Sequence, residues 1–115
     1  MNKARQELFE IFIKSSLNGY DLDAETIDID PETSTIKVTG LTPSWEKAVQ
    51  WANIKKSAMG GTISKVEARD DQITIEIPSE DDFAARVRIG SQSQISDKHY
   101  LNALKASMKS TQEFK

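Results

Sequence analysis

The stretch from Pro43 to Ile63 reads PSWEKAVQWANIKKSAMGGTI and carries the clearest start and stop signals in the chain. Ser44 belongs to the residues that cap helix N-termini, because its hydroxyl can accept a hydrogen bond from a free backbone N–H. Pro43 suits the first turn of a helix, where its missing N–H is not needed. Gly60 and Gly61 can adopt the left-handed backbone angles that end a helix. The stretch therefore predicts one helix in the middle of the chain.

The faces of this central helix follow from a rotation of about 100° per residue. Its core-facing stripe is predicted to consist of Trp45, Ala48, Val49, Ala52 and Met59. Trp51 lies at the edge of this stripe and Ile54 lies outside it. Because aromatic anchors often carry much of the energy of an interface, Trp51 and Ile54 are predicted to contact a partner.

A β-hairpin is predicted on each side of the central helix. Apolar and polar residues alternate in residues 24–40 around the turn Asp30–Ser34, and again in residues 62–78 around the turn Arg69–Gln72. Strands with one apolar and one polar face are typical of an antiparallel sheet that is covered on a single side. The odd spacing of Ile63 and Val66 predicts a bulge or a late start of the third strand.

Residues 3–17 predict an N-terminal helix whose apolar positions cover more than half of its circumference. Such a wide apolar face has two interpretations: the helix lies in a groove between other elements, or Phe9 or Ile13 contacts a partner or a second subunit. Asn18 and Gly19 are expected to end the helix, with Gly19 in the left-handed conformation.

The remaining residues predict two more helices. Ser79 followed by three acids is a helix-start pattern, and it predicts a short helix Glu80–Val87, although residues 86–89 would also suit a strand. Residues 90–94 are predicted to form a loop, and a last helix is expected from Ser96 or Asp97 to about Ser110. The predicted fold is a single α+β domain over residues 1–115, a two-layer sandwich in the order α-ββ-α-ββ-(short α)-α.

The composition excludes several classes of protein. The chain has 115 residues, a net charge of −3 and no cysteine, so disulfides, thiolate nucleophiles and cysteine-based zinc sites are excluded. No run of about 18 apolar residues predicts a membrane span. The N-terminal residues lack the apolar segment of a signal peptide, which favours a cytoplasmic protein. A periplasmic protein whose signal peptide has been removed is the alternative.

The middle of the chain resembles the BON domain of bacterial envelope proteins. The resemblance covers about residues 7–77 and rests on the segments Ile27–Asp30, Thr35–Gly40, Pro43–Ala48, Gly60–Ile63 and Val66–Glu67. Residues 79–115 are a helical extension outside it. The resemblance implies a non-enzymatic module that binds membrane surfaces or larger assemblies.

The residues that could carry catalysis lack the necessary neighbours. His99 is the only histidine, and Asp97, two residues away on a helix, would not face it. Gly60 and Gly61 lack the Lys-Ser/Thr that follows a phosphate-binding loop. Glu80, Asp81 and Asp82 are interpreted as the start of a helix rather than a cation site. The sequence therefore predicts a protein that is not an enzyme and has no metal and no cofactor.

Charge is distributed in blocks of alternating sign. Residues 20–46 carry a net charge of −6, residues 47–69 carry +4, residues 70–82 carry −6, and residues 83–115 carry +4. On the last predicted helix three lysines fall within about 40° of one another. The candidate basic contact for phosphates or an acidic protein surface consists of Arg86, Arg88, Lys98, Lys105 and Lys109.

These observations favour a small non-catalytic binding or assembly module that acts through protein–protein contacts, with self-association as one form of them. Its candidate partner contacts are Phe9, Ile13, Trp51 and Ile54. The first alternative is a nucleic-acid-associated protein that uses the basic residues. The second is an acidic decoy or inhibitor of a nucleic-acid-binding protein, acting through residues 20–32 and 70–82.

Overall fold

The computed structural model describes residues 3–87, 101–102 and 105–106, and it confirms the predicted α+β class. The elements are α1 (Lys3–Gly19), β1 (Thr26–Asp30), β2 (Thr35–Thr39), α2 (Trp45–Ala58), β3 (Lys65–Arg69), β4 (Gln72–Glu76) and α3 (Glu80–Val87). Both hairpins are confirmed, and α3 has its predicted bounds. Residues 101–102 and 105–106 are helical, whereas most of the predicted last helix and the loop at 90–94 lie outside the described residues.

The two hairpins join into one antiparallel sheet in the order β1-β2-β4-β3. Pairing of β2 with β4 places Ile36 opposite Ile75 and Val38 opposite Ile73, and all four side chains are fully buried. Burying one such side chain contributes about 1.5–3 kcal/mol to folding, so this central pairing is a large part of the core. β3 begins at Lys65, after the buried Ile63, which confirms the late strand start.

The helices cover the inner face of the sheet, and their packing explains the wide apolar face of α1. α1 lies near β1 and also contacts α3, while α2 lies near β3. The ring of Phe9 meets that of Phe83 edge to face, with centroids 4.8 Å apart, and Phe12 contacts the same ring at 5.9 Å. The groove interpretation is therefore confirmed. The prediction that Phe9 or Ile13 is a surface contact is wrong, since both are buried in the core.

The prediction for Trp51 is wrong, whereas Trp45 packs against the core as predicted. Trp51 is fully buried, and its indole N–H donates a hydrogen bond to Ser16 Oγ of α1 at 2.9 Å. Trp45 is only partly buried. Trp51 lies on the buried side of α2 together with Ala48 and Ala52, and its hydrogen bond to Ser16 joins α2 to α1. Trp51 is therefore not a surface contact, whereas Ile54 remains 46% exposed.

The end of α1 also differs from the prediction. The helix includes Gly19, and the left-handed residue is Asp21, with φ of 58°. The Leu22 N–H bonds to the Leu17 carbonyl at 2.9 Å and the Asp21 N–H bonds to the Asn18 carbonyl at 3.0 Å, which is the Schellman pattern. Buried Leu17 and Leu22 complete this end, so hydrophobic contact rather than glycine decides where the helix stops.

The ends of α2 follow the predicted signals with one shift. Ser44 is the N-cap, and its side chain accepts a hydrogen bond from the Lys47 N–H at 3.2 Å. Pro43 precedes the cap instead of standing in the first turn. Gly60 and Gly61 follow the helix with φ of 56° and 85°, as expected for a glycine-terminated helix.

Replacing Ser16 with alanine tests the junction between α1 and α2. The Ser16→Ala variant leaves the buried indole N–H of Trp51 without its acceptor, so the free energy of unfolding is expected to fall by about 1–3 kcal/mol. Ser15→Ala is the matched control, because Ser15 is exposed on the same helix and undergoes the same change in helix propensity. Urea denaturation followed by tryptophan fluorescence measures both variants. Equal stability of the two would contradict the assigned hydrogen bond.

Candidate functional site

The basic residues predicted as a contact are engaged within the fold wherever the structure describes them. The guanidinium of Arg86 donates a hydrogen bond to the Ala58 carbonyl at 3.0 Å and so closes the C-terminal end of α2. Lys105 Nζ lies 2.7 Å from Glu7 Oε2 of α1. Arg88, Lys98 and Lys109 lie outside the described residues, as does His99. Arg86 and Lys105 therefore join elements of the fold together.

The three acids at the start of α3 are also accounted for locally. Ser79 Oγ accepts a hydrogen bond from the Asp82 N–H at 3.3 Å, which is the expected cap. Arg5 Nη1 lies 3.2 Å from Glu80 Oε1 and also contacts the carboxylate of Asp81. The cluster thus holds the first turn of α1 against the start of α3. Within the described residues, no group of three or more acids or histidines is arranged to hold a metal ion.

No described helix covers the outer face of the sheet. Each strand directs three side chains toward this face, and none of them is buried. They are Thr26, Asp28 and Asp30 on β1, Thr35, Lys37 and Thr39 on β2, Gln72, Thr74 and Glu76 on β4, and Lys65, Glu67 and Arg69 on β3. We call these residues the outer face. They comprise four acids, three bases and five uncharged polar residues, and no apolar or aromatic side chain.

A recess of about 360 Å³ lies on the outer face and is lined by Lys37, Glu67, Arg69, Asp70, Gln72 and Thr74. The strand register explains its composition, because Lys37 stands opposite Thr74 and Arg69 stands opposite Gln72. Gln72 Nε2 donates a hydrogen bond to Thr74 Oγ1 at 3.2 Å. The recess therefore has a polar floor on β4, with Lys37 on the β2 side and both Glu67 and Arg69 on the β3 side.

Of the charged residues around the recess, the acid Glu67 has an ion-pair partner, whereas the two cations have none within the described part of the chain. Lys65 Nζ lies 3.7 Å from Glu67 Oε2, which partly neutralises the acid on β3. Neither Lys37 nor Arg69 forms an ion pair or a hydrogen bond with another side chain of the described ranges. Lys37 stands opposite Asp28 and its charge also acts on Asp30, without a contact at ion-pair distance. Both cations can therefore still bind a group that enters from solvent.

Sequence reasoning did not single out Lys37, Arg69, Gln72 or Thr74. The alternation of each hairpin indicates that these side chains point away from the core. What it does not indicate is the pairing of β2 with β4, which brings residues from separate hairpins together. Of the predicted partner contacts, Ile54 alone is exposed, and it lies on α2 rather than on the outer face.

Comparisons with known proteins find no matching family model, no matching curated protein and no matching solved structure. The BON-like resemblance therefore stays a prediction. No helix in the described residues has both the length and the apolar character needed to cross a membrane.

The carboxyl group of Asp30, at the end of β1, has its pKa lowered from the ordinary value of 3.8. The main cause is the hydrogen bond from the Glu32 N–H, which reaches Asp30 Oδ1 at 3.0 Å. The Thr33 side chain and the positive charge of Lys37 act in the same direction. Because the folded-state pKa is depressed, the stabilisation is complete above the unfolded-state pKa and is lost as the pH falls through the folded-state value.

A carbon-13 NMR titration of the Asp30 carboxyl tests this environment. The midpoint is expected below 3.8 in the native chain. The Thr33→Ala variant loses one stabilising hydrogen bond, so its midpoint should lie above that of the native chain. A native midpoint at or above the ordinary value would show that the turn does not stabilise the carboxylate.

Proposed function

We propose that this protein is a non-catalytic binding module whose protein partner contacts the outer face of the sheet. The observation that carries the proposal is the recess on this face. Its two cations, Lys37 and Arg69, form no ion pair with an acid of the described residues. A solvent-facing polar side is ordinary for an antiparallel sheet packed on one side. A cavity bordered by unpaired cations is the additional feature that suits recognition, because charge complementarity directs partners to a surface.

The outer face supports a protein partner better than a nucleic acid. Proteins that bind single-stranded nucleic acid on an open sheet stack bases on aromatic side chains. The outer face has no aromatic residue, and its acids outnumber its bases. Arg86 and Lys105, which were predicted to contact phosphates, are engaged with α2 and α1.

Self-association remains one form of this proposal, and the acidic decoy is the second candidate. The side chains of Asp28 and Asp30 at the β1 edge and those of Lys65 and Arg69 at the β3 edge give the two sides of the outer face opposite charge. A second copy could therefore meet this face with complementary edges. Acids exposed in residues 20–32 support the decoy.

A pair of arginine substitutions tests where the partner binds. Thr74→Arg introduces a long side chain at the centre of the outer face, whereas Asn53→Arg makes the same charge change on the exposed side of α2. Affinity capture from the source cells, quantified by mass spectrometry, is expected to recover a specific partner with the native chain and with Asn53→Arg. Recovery with Thr74→Arg should fall about tenfold or more, because the arginine side chain fills the recess and sterically blocks the centre of the contact.

The proposal fails if the native chain captures no specific partner. It also fails if Thr74→Arg, shown by circular dichroism to be folded, retains a partner that Asn53→Arg loses. That second outcome would move the contact to α2 and Ile54.

A further inference from the structure

The geometry points to an acidic side chain of the protein partner, an aspartate or glutamate, as the group that enters the recess between Lys37 and Arg69. This inference rests on the proposed function and names the chemistry of the partner. Its basis is a set of hydrogen-bond donors that two strand pairings bring around one point on the outer face.

The order of the strands places the donors on opposite sides of β4. β4 lies between β2 and β3, and adjacent strands are about 4.8 Å apart. Lys37 on β2 is the direct neighbour of Thr74, and Arg69 on β3 is the direct neighbour of Gln72. The side chains of Lys37 and Arg69 are long enough to bring their charged groups to a ligand atom above the floor formed by Gln72 and Thr74.

The floor itself offers a donor. Thr74 Oγ1 accepts the hydrogen bond from Gln72 Nε2, which leaves the hydroxyl proton of Thr74 free to be donated outward. Together with Lys37 and Arg69, the recess presents three donors, two of them charged. Hydrogen bonds between such cations and a carboxylate are short and strong, and a guanidinium can bind both carboxylate oxygens.

The acids at the recess restrict which anion fits. Glu67 is partly neutralised by Lys65, and Asp70 is an exposed residue of the turn between β3 and β4. Glu67 is also the direct β3 neighbour of Thr74, so an entering carboxylate must lie toward Lys37 and Arg69 and away from Glu67.

The lining holds two cations and two acids, so its formal net charge is zero. A nucleic-acid backbone would also bring phosphates against Asp28, Asp30 and Glu76, the other acids of the outer face. The recess therefore favours an acidic polypeptide over a nucleic acid.

Two-dimensional nitrogen-15 NMR of the full chain tests the inference with defined peptides at low salt. The probe is a capped peptide of alternating glutamate and serine, and the comparison peptide has glutamine in place of every glutamate. Saturable shifts are expected at Lys37, Arg69, Gln72 and Thr74 with the glutamate peptide. The affinity for the glutamine peptide should be lower by at least about tenfold, because charge-assisted hydrogen bonds are lost.

A matched pair of double variants locates the binding. Lys37→Gln with Arg69→Gln removes both cations of the recess and should weaken the glutamate peptide at least about tenfold. Lys14→Gln with Lys56→Gln makes the same change in net charge on exposed helix positions and should leave the affinity within about twofold. The chemical shifts of buried residues confirm that each variant is folded.

Several results would overturn the inference. The first is an absence of saturable shifts with the glutamate peptide, and the second is an equal loss of peptide affinity in both double variants. The third is binding of inorganic phosphate at least as tight as that of the peptide. The fourth is a set of shifts at the recess that depend on protein concentration alone. The last result would assign the recess to a second copy of the chain. If peptide binding fails while Thr74→Arg still loses its cellular partner, the inference fails and the proposed function stands.

Discussion

The antiparallel pairing of β2 with β4 is the constraint on which the rest of this structure depends. It places Ile36 opposite Ile75 and Val38 opposite Ile73 at the centre of the sheet, and it joins two local hairpins into one surface. A slip of one residue in this register would turn the buried isoleucines to solvent and the polar side chains inward. The hydrophobic face therefore fixes the register, and the register in turn fixes which polar residues become neighbours on the other side.

The recess is a consequence of the same alternation. Lys37 and Thr74 stand between buried residues on β2 and β4, so core packing holds their backbone in place. Gln72 and Arg69 pair with each other where β4 and β3 meet. A binding group on such a rigid element loses less conformational freedom than one on a mobile loop. The helices on the inner face support the sheet from behind, and the contacts of Phe83 with Phe9 and Phe12 fix α3 against α1.

Local signals in the sequence predicted most of the helices and strands. The features that they did not predict depend on contacts between residues far apart in the sequence. The acids after Ser79 identified the bounds of α3, because a capped first turn is a local feature. The burial of Trp51 depends on where α1 lies and on Ser16, which is far away in the sequence. Leu22 ends α1 through contact with Leu17, which the Asn-Gly pair did not suggest. The outer-face recess required the order of the strands, which neither hairpin contains by itself.

The central claim is that a partner covers the outer face and leaves the helical side exposed. Acylation of lysines by an amine-reactive reagent, quantified by mass spectrometry for the free chain and for its complex with the captured partner, tests it most directly. Lys37 and Lys65 lie on the outer face, while Lys14 and Lys56 are exposed on α1 and α2. Acylation of Lys37 and Lys65 is expected to slow in the complex, whereas Lys14 and Lys56 should react as they do in the free chain. Protection of Lys14 or Lys56 with unchanged reactivity of Lys37 and Lys65 would contradict it.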